Sequence, residues 1–192
     1  MKPNCIIAAR SGSKRIPNKN IVKIFGKPLI SYAIKTSIKS KLFKNVYVST
    51  DSEKIKKIVE KFGAKVPSLR SKKLAKDEVG LQDVIIDFIK KHKLEKEEFF
   101  IFIYATSALI KKKMLTKSIK KFIKTNSDLL LPIKEFETNP LKALKLEGKK
   151  YVTYYDKKYF KVNTKSLQKL YFHPGSFFIF RTKSFLKRSI NL

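Results

Sequence analysis

The chain has 192 residues, of which 43% are hydrophobic and 12% aromatic, and this composition argues against a wholly disordered polymer. The length suits one domain with a full core and a small appendage. Lys and Arg number 45 against 15 Asp and Glu, a formal charge of +30, which raises nucleic acid or an anionic surface as a partner. The lysines are spread along the whole chain without a nucleic-acid recognition motif, so we interpret them mainly as solvated helix faces.

Cysteine usage and apolar run lengths limit the class of protein further. Cys5 is the single cysteine, which rules out an internal disulfide and a cysteine-based zinc site and favours a small core residue. The apolar run at residues 5–9 is too short for a signal peptide, and the longest one, residues 99–104, is too short to span a bilayer. We therefore expect a cytoplasmic protein.

Short apolar runs alternate with helical patterns along the first two thirds of the chain. Residues 5–9, 46–49 and 99–104 are predicted to be buried strands, and 129–133 a further one. Four helices are predicted. The first begins at Pro28, and the second follows a cap at Asp51 or Ser52 and ends at Gly63. The third covers residues 84–89 and the fourth covers residues 115–123. This alternation predicts an α/β class with a Rossmann-like, doubly wound and mostly parallel sheet.

The pattern changes from about Pro140. Alternating apolar residues at 144–146, 151–155 and 177–180, with Glu147 and Gly148 as a turn, predict short antiparallel strands. We therefore divide the chain into an α/β body (1–139), a β-rich extension (140–180) and a C-terminal segment (181–192).

The loop from Arg10 to Asn20 directly follows the first predicted strand, at the edge where open α/β sheets bind ligands. Gly12 and the small serines beside it allow a tight turn with N–H groups directed at an anion. Arg10 and Lys14 add charges that suit phosphate. The loop is neither a P-loop nor a dinucleotide fingerprint. The residues predict a polyphosphate-binding loop, with a basic surface turn as the alternative.

Several segments resemble one family in the same order. AARSGSKRIPNKN followed by KPLISYAI resembles the start of the acylneuraminate cytidylyltransferases, the CMP-sialic acid and pseudaminic acid synthetases. VYVSTDSEKI, VPSLRSKKLAKD, IYATSAL, NPLKAL and SLQKLYFHPGSFFIF resemble its later segments, so the resemblance covers almost the whole chain. It implies the nucleotide-diphospho-sugar transferase type of fold. It also implies transfer of CMP from CTP to a sialic-acid-like nonulosonic acid, with release of pyrophosphate. YAT and LYFHPGSFF favour the pseudaminic acid type.

The resemblance assigns roles to individual residues. Arg10 and Lys14 are the implied catalytic cations. The implied nucleotide-binding residues are Arg10, Ser13, Lys14, Lys19, Asn20, Arg70 and Asp77. Lys142 in NPLKAL is implied to face the acceptor's carboxylate. As alternatives, Lys19 and Lys142 are ordinary surface lysines and Asp77 is a helix N-cap.

The chain also departs from the family pattern. The family carries a late Asp-x-Asp segment that holds Mg²⁺, and this sequence ends at Leu192 without one, so we expect a shortened C-terminus. His173 stands where the pseudaminic-type pattern has Asp. Mg²⁺ is expected as a cofactor from the resemblance, with no metal ligand assigned. A homodimer formed through the extension is also expected. An active enzyme and a catalytically impaired CTP-binding remnant both stay open, with a basic nucleic-acid-binding protein less favoured.

Overall fold

The protein is described from a computed structural model, in which residues 2–148 and 150–188 are described. The strands are β1 (Asn4–Ala8), β2 (Lys23–Ile24), β3 (Lys27–Pro28), β4 (Val46–Ser49), β5 (Phe99–Tyr104), β6 (Leu129–Leu130), β7 (Lys134–Glu135), β8 (Leu144–Glu147), β9 (Tyr151–Tyr154), β10 (Tyr171–Phe172) and β11 (Phe177–Arg181). The helices are α1 (Leu29–Ser40), α2 (Glu53–Glu60), α3 (Leu81–Lys91), α4 (Lys112–Thr125) and α5 (Thr182–Leu186).

The chain forms two compact units, which we call the body (residues 2–131 and 175–188) and the extension unit (132–174). The body contains a five-stranded sheet in the order β4-β1-β5-β11-β6. β1 is parallel to both β4 and β5, whereas β11 is antiparallel to β5 and β6. The predicted α/β class with a mostly parallel sheet is therefore confirmed, with an antiparallel side added.

The last strand differs from its sequence-based assignment. We predicted residues 177–180 within the β-rich extension, but β11 pairs along its whole length with β5 in the body, from Phe177 opposite Ile103 to Arg181 opposite Phe99. The alternation pattern identified a strand correctly and gave no information on its partner. The predicted strand at 129–133 is also shorter, since only Leu129–Leu130 pairs.

Both faces of this sheet are buried, which is why its strands are apolar apart from their ends. One face packs with residues of α1, α2 and α4, and its strand residues include Cys5, Ile7, Ile101 and Ile103. The other packs with residues of α3 and α5, and includes Phe100, Phe102, Phe178 and Phe180. Helices on both faces are what a doubly wound sheet requires.

Helix boundaries follow their local signals. α1 begins directly after Pro28, whose φ of −55° suits a helix start. α2 is capped by Ser52, whose Oγ accepts a hydrogen bond from the Ile55 N–H at 3.3 Å. Gly63, at φ +87°, follows the end of α2. Since Ser52 provides the cap, the Asp51 carboxylate is available for other contacts.

The extension unit contains two small antiparallel pairs. β8 and β9 form a hairpin with Leu146 opposite Val152, and β7 pairs with β10. None of the described residues between 132 and 174 is buried. This unit begins and ends earlier than the predicted 140–180 extension, because β11 belongs to the body sheet. Of the predicted C-terminal segment, residues 189–192 lie outside the described residues.

No helix in the described ranges combines the length and the apolar character needed to cross a bilayer.

Candidate functional site

A cleft of about 300 Å³ lies where the parallel strands of the body end. Ala8 at the end of β1 and Tyr104 at the end of β5 both line it, and these two residues are paired in the sheet. The carboxyl ends of neighbouring parallel strands meet at one edge of a sheet, and this edge is the usual ligand position in open α/β folds. The remaining lining residues are Arg10, Ser13, Lys19, Asn20, Arg70, Leu74, Lys76, Asp77, Val79, Leu81, Val84, Ala105 and Thr106.

Six of the seven residues predicted to bind nucleotide line this cleft, although the chain separates Arg10 from Asp77 by 67 positions. The seventh, Lys14, reaches it through Asp77, because its Nζ lies 2.6 Å from Asp77 Oδ2. Lys142 belongs to the extension unit, where its Nζ donates a hydrogen bond to the Phe160 carbonyl oxygen at 3.0 Å. The structure thus brings together the predicted residues of the body.

Asn20 connects the two ends of the loop after β1. This side chain is buried, and its Nδ2 donates a hydrogen bond to the Arg10 carbonyl oxygen at 3.0 Å. Gly12 behaves differently from the prediction: its φ lies outside the left-handed region, and a Cβ built there would meet nothing within 4 Å. The turn therefore does not depend on glycine's conformational freedom, and Gly12 leaves open space in the loop instead.

Asp51 lies beside the cleft, where it contacts Ser11 and the lining residue Arg70, whereas the sequence indicated it only as a helix cap. Its Oδ1 accepts a hydrogen bond from the Ser11 N–H at 2.9 Å, and its Oδ2 accepts one from the Ser11 hydroxyl at 2.6 Å. Burial raises the pKa of this carboxyl, but the hydrogen bonds from Ser11, a backbone hydrogen bond of Asp51 itself and the charge of Arg70 together outweigh burial and leave the pKa below its ordinary value. An acidic residue directly after a buried strand, as in the segment VSTD, is the signal that would have found it.

Arg70 carries a buried guanidinium, with its side chain only 4% exposed. Its backbone N–H donates to the Thr50 carbonyl oxygen at 2.8 Å, which fixes the residue beside the end of β4. Its Nη2 lies 3.8 Å from Asp51 Oδ1, close enough for charge attraction but too far for a hydrogen bond. Within the described part of the chain, Nε and Nη2 have no hydrogen-bond partner. Burial lowers the pKa of this guanidinium, an effect that Asp51 partly offsets.

Asp77 connects the two cations of the loop. Its Oδ1 forms an ion pair with Arg10 Nη2, and its Oδ2 forms the one with Lys14. Arg10 Nη1 also donates to the Ala75 carbonyl oxygen at 3.3 Å. Lys14 and then Arg10 hold the pKa of Asp77 below its ordinary value. The alternative interpretation of Asp77 as a helix N-cap is wrong, since α3 begins at Leu81 with Gly80 in the cap position.

Metal-ligating side chains do not cluster in residues 2–148 and 150–188: no group of three or more His, Cys, Asp or Glu there could hold an ion. The carboxylate that lines the cleft is Asp77, and both of its oxygens are already paired with cations.

The fold and the cleft together define an α/β protein with cations gathered at the carboxyl ends of parallel strands, an arrangement typical of proteins that bind phosphate-bearing nucleotides. Residues 4–190 match the family described as cytidylyltransferase. The chain belongs to this cytidylyltransferase family and is a nucleotidyltransferase.

Two relatives and one solved structure are similar to this chain over almost its whole length. The chain is 36% identical to the pseudaminic acid cytidylyltransferase of Campylobacter jejuni serotype O:2, over 97% of this chain and 82% of that protein. It is 33% identical to the N-acylneuraminate cytidylyltransferase of Streptococcus agalactiae serotype III, over 97% of this chain and 45% of that protein. The fold matches the structure of CMP:2-keto-3-deoxy-manno-octonic acid synthetase complexed with CTP, with a TM-score of 0.74 and 18% identity over 98% of this chain and 78% of that one.

Proposed function

We propose that the protein transfers CMP from CTP to a sialic-acid-like nonulosonic acid of the pseudaminic acid type and releases pyrophosphate. The observation that carries this proposal is the placement of Arg10 and Lys19 in one cleft at the carboxyl end of β1, with Lys14 joined to the cleft through its ion pair with Asp77. The 36% identical relative, a pseudaminic acid cytidylyltransferase, supports the choice of acceptor.

In this reaction the anomeric hydroxyl oxygen of the sugar acid attacks the α-phosphorus of CTP. A new P–O bond forms, and the bond to the oxygen that bridges the α- and β-phosphates breaks. The hydroxyl proton is lost, and the electron pair of the broken bond leaves with pyrophosphate. Phosphoryl chemistry of this kind needs positioning and charge neutralisation more than covalent participation by the protein. Arg10 and Lys14 are suited to neutralise the charge that grows on the leaving pyrophosphate.

Arg70 is suited to contact the nucleoside. Buried N–H groups without a partner are costly, so a ligand oxygen that accepts from Nε or Nη2 gains more than it would at a solvated arginine. An oxygen acceptor on the cytosine or ribose of CTP would satisfy these donors. Asn20 is placed to hold the loop through its bond to the Arg10 carbonyl, and this contact positions Arg10 whether or not Asn20 also touches ligand.

Mg²⁺ stays a prediction that rests on the resemblance alone. Mg²⁺ in nucleotide sites takes most of its ligands from phosphates and water and one or two from carboxylates. Both carboxylate oxygens of Asp77 are already paired with Arg10 and Lys14, so Asp77 is not offered here as a ligand of the ion.

The extension unit is proposed to serve the acceptor and a second copy of the chain. Lys142 offers a cation for the acceptor's carboxylate, although in this structure it bonds to a backbone carbonyl. Exposed apolar side chains of this unit, Leu144, Leu146, Tyr151, Val152, Tyr155 and Phe160, provide a surface that a homodimer would cover.

The test is a pyrophosphate-release assay with CTP, Mg²⁺ and either pseudaminic acid or N-acetylneuraminic acid. We expect release with both substrates present and a higher kcat/KM for pseudaminic acid. Lys14→Ala should weaken CTP binding by about 1.5–3 kcal/mol, the range for a hydrogen bond to a charged group. Lys117→Ala, which removes an exposed lysine of α4, is the matched control and should leave binding unchanged.

Different outcomes separate the alternatives. CTP binding without pyrophosphate release from any sugar acid contradicts turnover and identifies a nucleotide-binding remnant. Unchanged CTP affinity in Lys14→Ala removes Lys14 from the site. If CTP does not bind and double-stranded DNA binds with steep salt dependence, the basic nucleic-acid interpretation replaces the enzyme.

A further inference from the structure

Asp77 forms ion pairs with both cations that the proposed function assigns to the phosphates of CTP. One of its oxygens pairs with Arg10 and the other lies 2.6 Å from Lys14 Nζ. All three side chains are at least one-third exposed, so a ligand has access to each of them. The two cations assigned to the triphosphate are thus already bound to a carboxylate of the protein.

This contact cannot persist unchanged when a phosphate binds the same two cations. A carboxylate and a phosphate oxygen at neighbouring positions repel each other, because both are negative. Lys14 and Arg10 hold the pKa of Asp77 below its ordinary value, so the carboxylate stays ionised near neutral pH and protonation does not relieve the repulsion. A phosphate must therefore displace Asp77 or bind less tightly beside it.

The segment that carries Asp77 contributes no residue to the buried core. None of residues 71–80 is buried. Arg10 holds this segment at two points, through the Asp77 carboxylate and through the Ala75 carbonyl oxygen. If a phosphate replaced Asp77 at Arg10, the ion pair between Arg10 and Asp77 would be lost.

A role in folding stability is the plain alternative, and the geometry disfavours it. Ion pairs between exposed side chains contribute little to stability, since solvent screens them and the side chains lose freedom. Lys14 is 84% exposed. A contact of this modest strength still lowers the affinity for a ligand that uses the same two cations, because that ligand must displace it.

We propose that Asp77 is an internal counter-ion that competes with ligand phosphates for Arg10 and Lys14, and that it lowers the affinity of the cleft for CTP and, above all, for the pyrophosphate product. The inference rests on the proposed function. It gives Asp77 a role opposite to direct phosphate binding: the carboxylate returns to the two cations as pyrophosphate leaves and so prevents the product from blocking the cleft.

The experiment measures pyrophosphate and CTP binding by titration calorimetry in EDTA at low salt. Asp77→Asn keeps the shape of the side chain and removes its charge. Because two exposed ion pairs no longer compete, pyrophosphate should bind about three- to tenfold more tightly than to wild type. Glu78→Gln is the matched control: it removes the same charge one residue away, and among the described residues Glu78 forms no ion pair. Glu78→Gln should change the affinity for pyrophosphate by less than about twofold.

A double-mutant cycle tests the route of the effect. In a Lys14→Ala background, Asp77→Asn should increase the affinity for pyrophosphate by a smaller factor, because one of the two cations for which Asp77 and phosphate compete is absent. A gain of equal size in both backgrounds would show that Asp77 does not act through Lys14. In steady state, Asp77→Asn should show stronger product inhibition by pyrophosphate, an effect that a merely structural role would not produce.

The outcomes distinguish this inference from the proposed function. If wild type binds neither CTP nor pyrophosphate, the proposed function fails and the inference with it. If wild type binds both and Asp77→Asn binds them equally or more weakly, only the inference is overturned.

Discussion

The body and the extension unit use their apolar residues in opposite ways. The body buries both faces of its sheet, and large side chains such as Phe100, Phe178 and Phe180 are fully enclosed. In the extension unit none of the described residues is buried, and Leu146 and Val152 are 72% and 63% exposed. The body therefore has an apolar core of its own, whereas the extension unit is held by antiparallel strand pairs and backbone hydrogen bonds.

The largest expected effect tests that contrast with one substitution in each unit. Phe100→Ala removes a fully buried ring that stacks on Phe180 at a centroid distance of 5.8 Å, and should lower the free energy of unfolding by about 3–5 kcal/mol. Phe160→Ala removes a ring that is 55% exposed and meets Tyr154 at 4.9 Å, and should cost about 1 kcal/mol. Urea denaturation followed by circular dichroism measures both. Equal losses would contradict the contrast between a body with a core and a unit without one.

A second, smaller effect concerns carboxylates in the two units. Asp51→Ala removes both bonds to Ser11 and leaves the buried Arg70 guanidinium without its nearest carboxylate, and should cost about 2–3 kcal/mol. Asp156→Ala in the extension unit removes an exposed carboxylate that accepts from the Lys158 N–H at 3.0 Å, and should cost about 1 kcal/mol or less.

The pH dependence of stability gives the Asp51 comparison a second measurement. The folded pKa of Asp51 lies below its ordinary value of 3.8, so its stabilising contribution is complete above that pH and is lost as the pH falls through the lower, folded pKa. The stability difference between wild type and Asp51→Ala should therefore be constant from pH 5 to 7 and narrow below about pH 4. A difference that widens on acidification would contradict the pKa direction.

The smallest effect on folding, with a large effect on assembly, is expected at the β8–β9 hairpin. Leu146→Ser combined with Val152→Ser should change monomer stability by less than about 1 kcal/mol, because both side chains are exposed. If a second copy covers this surface, the double variant should shift sedimentation from dimer to monomer. Leu109→Ser, at an 89% exposed position in the body, is the control and should leave assembly unchanged. A monomeric wild type would contradict the proposed dimer.

Some strands could be predicted to the residue, and others only as strands. Val46–Ser49 and Phe99–Tyr104 agree with the prediction because strands buried on both faces are continuous apolar runs with polar ends. The run at 177–180 was just as visible, but its position beside β5 was not. An alternating pattern shows that a segment is extended and gives no information on which strand pairs with it.

The candidate site could likewise be predicted only in part. The cations of the first loop were visible because a charged run after a buried strand is unusual, and the resemblance supplied Asn20, Arg70 and Asp77. The bonds between Ser11 and Asp51 were not visible, since 40 residues separate them. The predicted need for glycine at position 12 also found no support in the backbone geometry.

The class of fold, most helix and strand positions and the group of cations after β1 could be predicted from the sequence, because they depend on local periodicity and residue chemistry. Three features became visible only in the folded chain: β11 pairs between β5 and β6, Arg70 is buried beside Asp51, and Asp77 contacts Arg10 and Lys14. Such contacts follow from the order and register in which distant strands pair, and long-range burial rather than any local pattern selects that order.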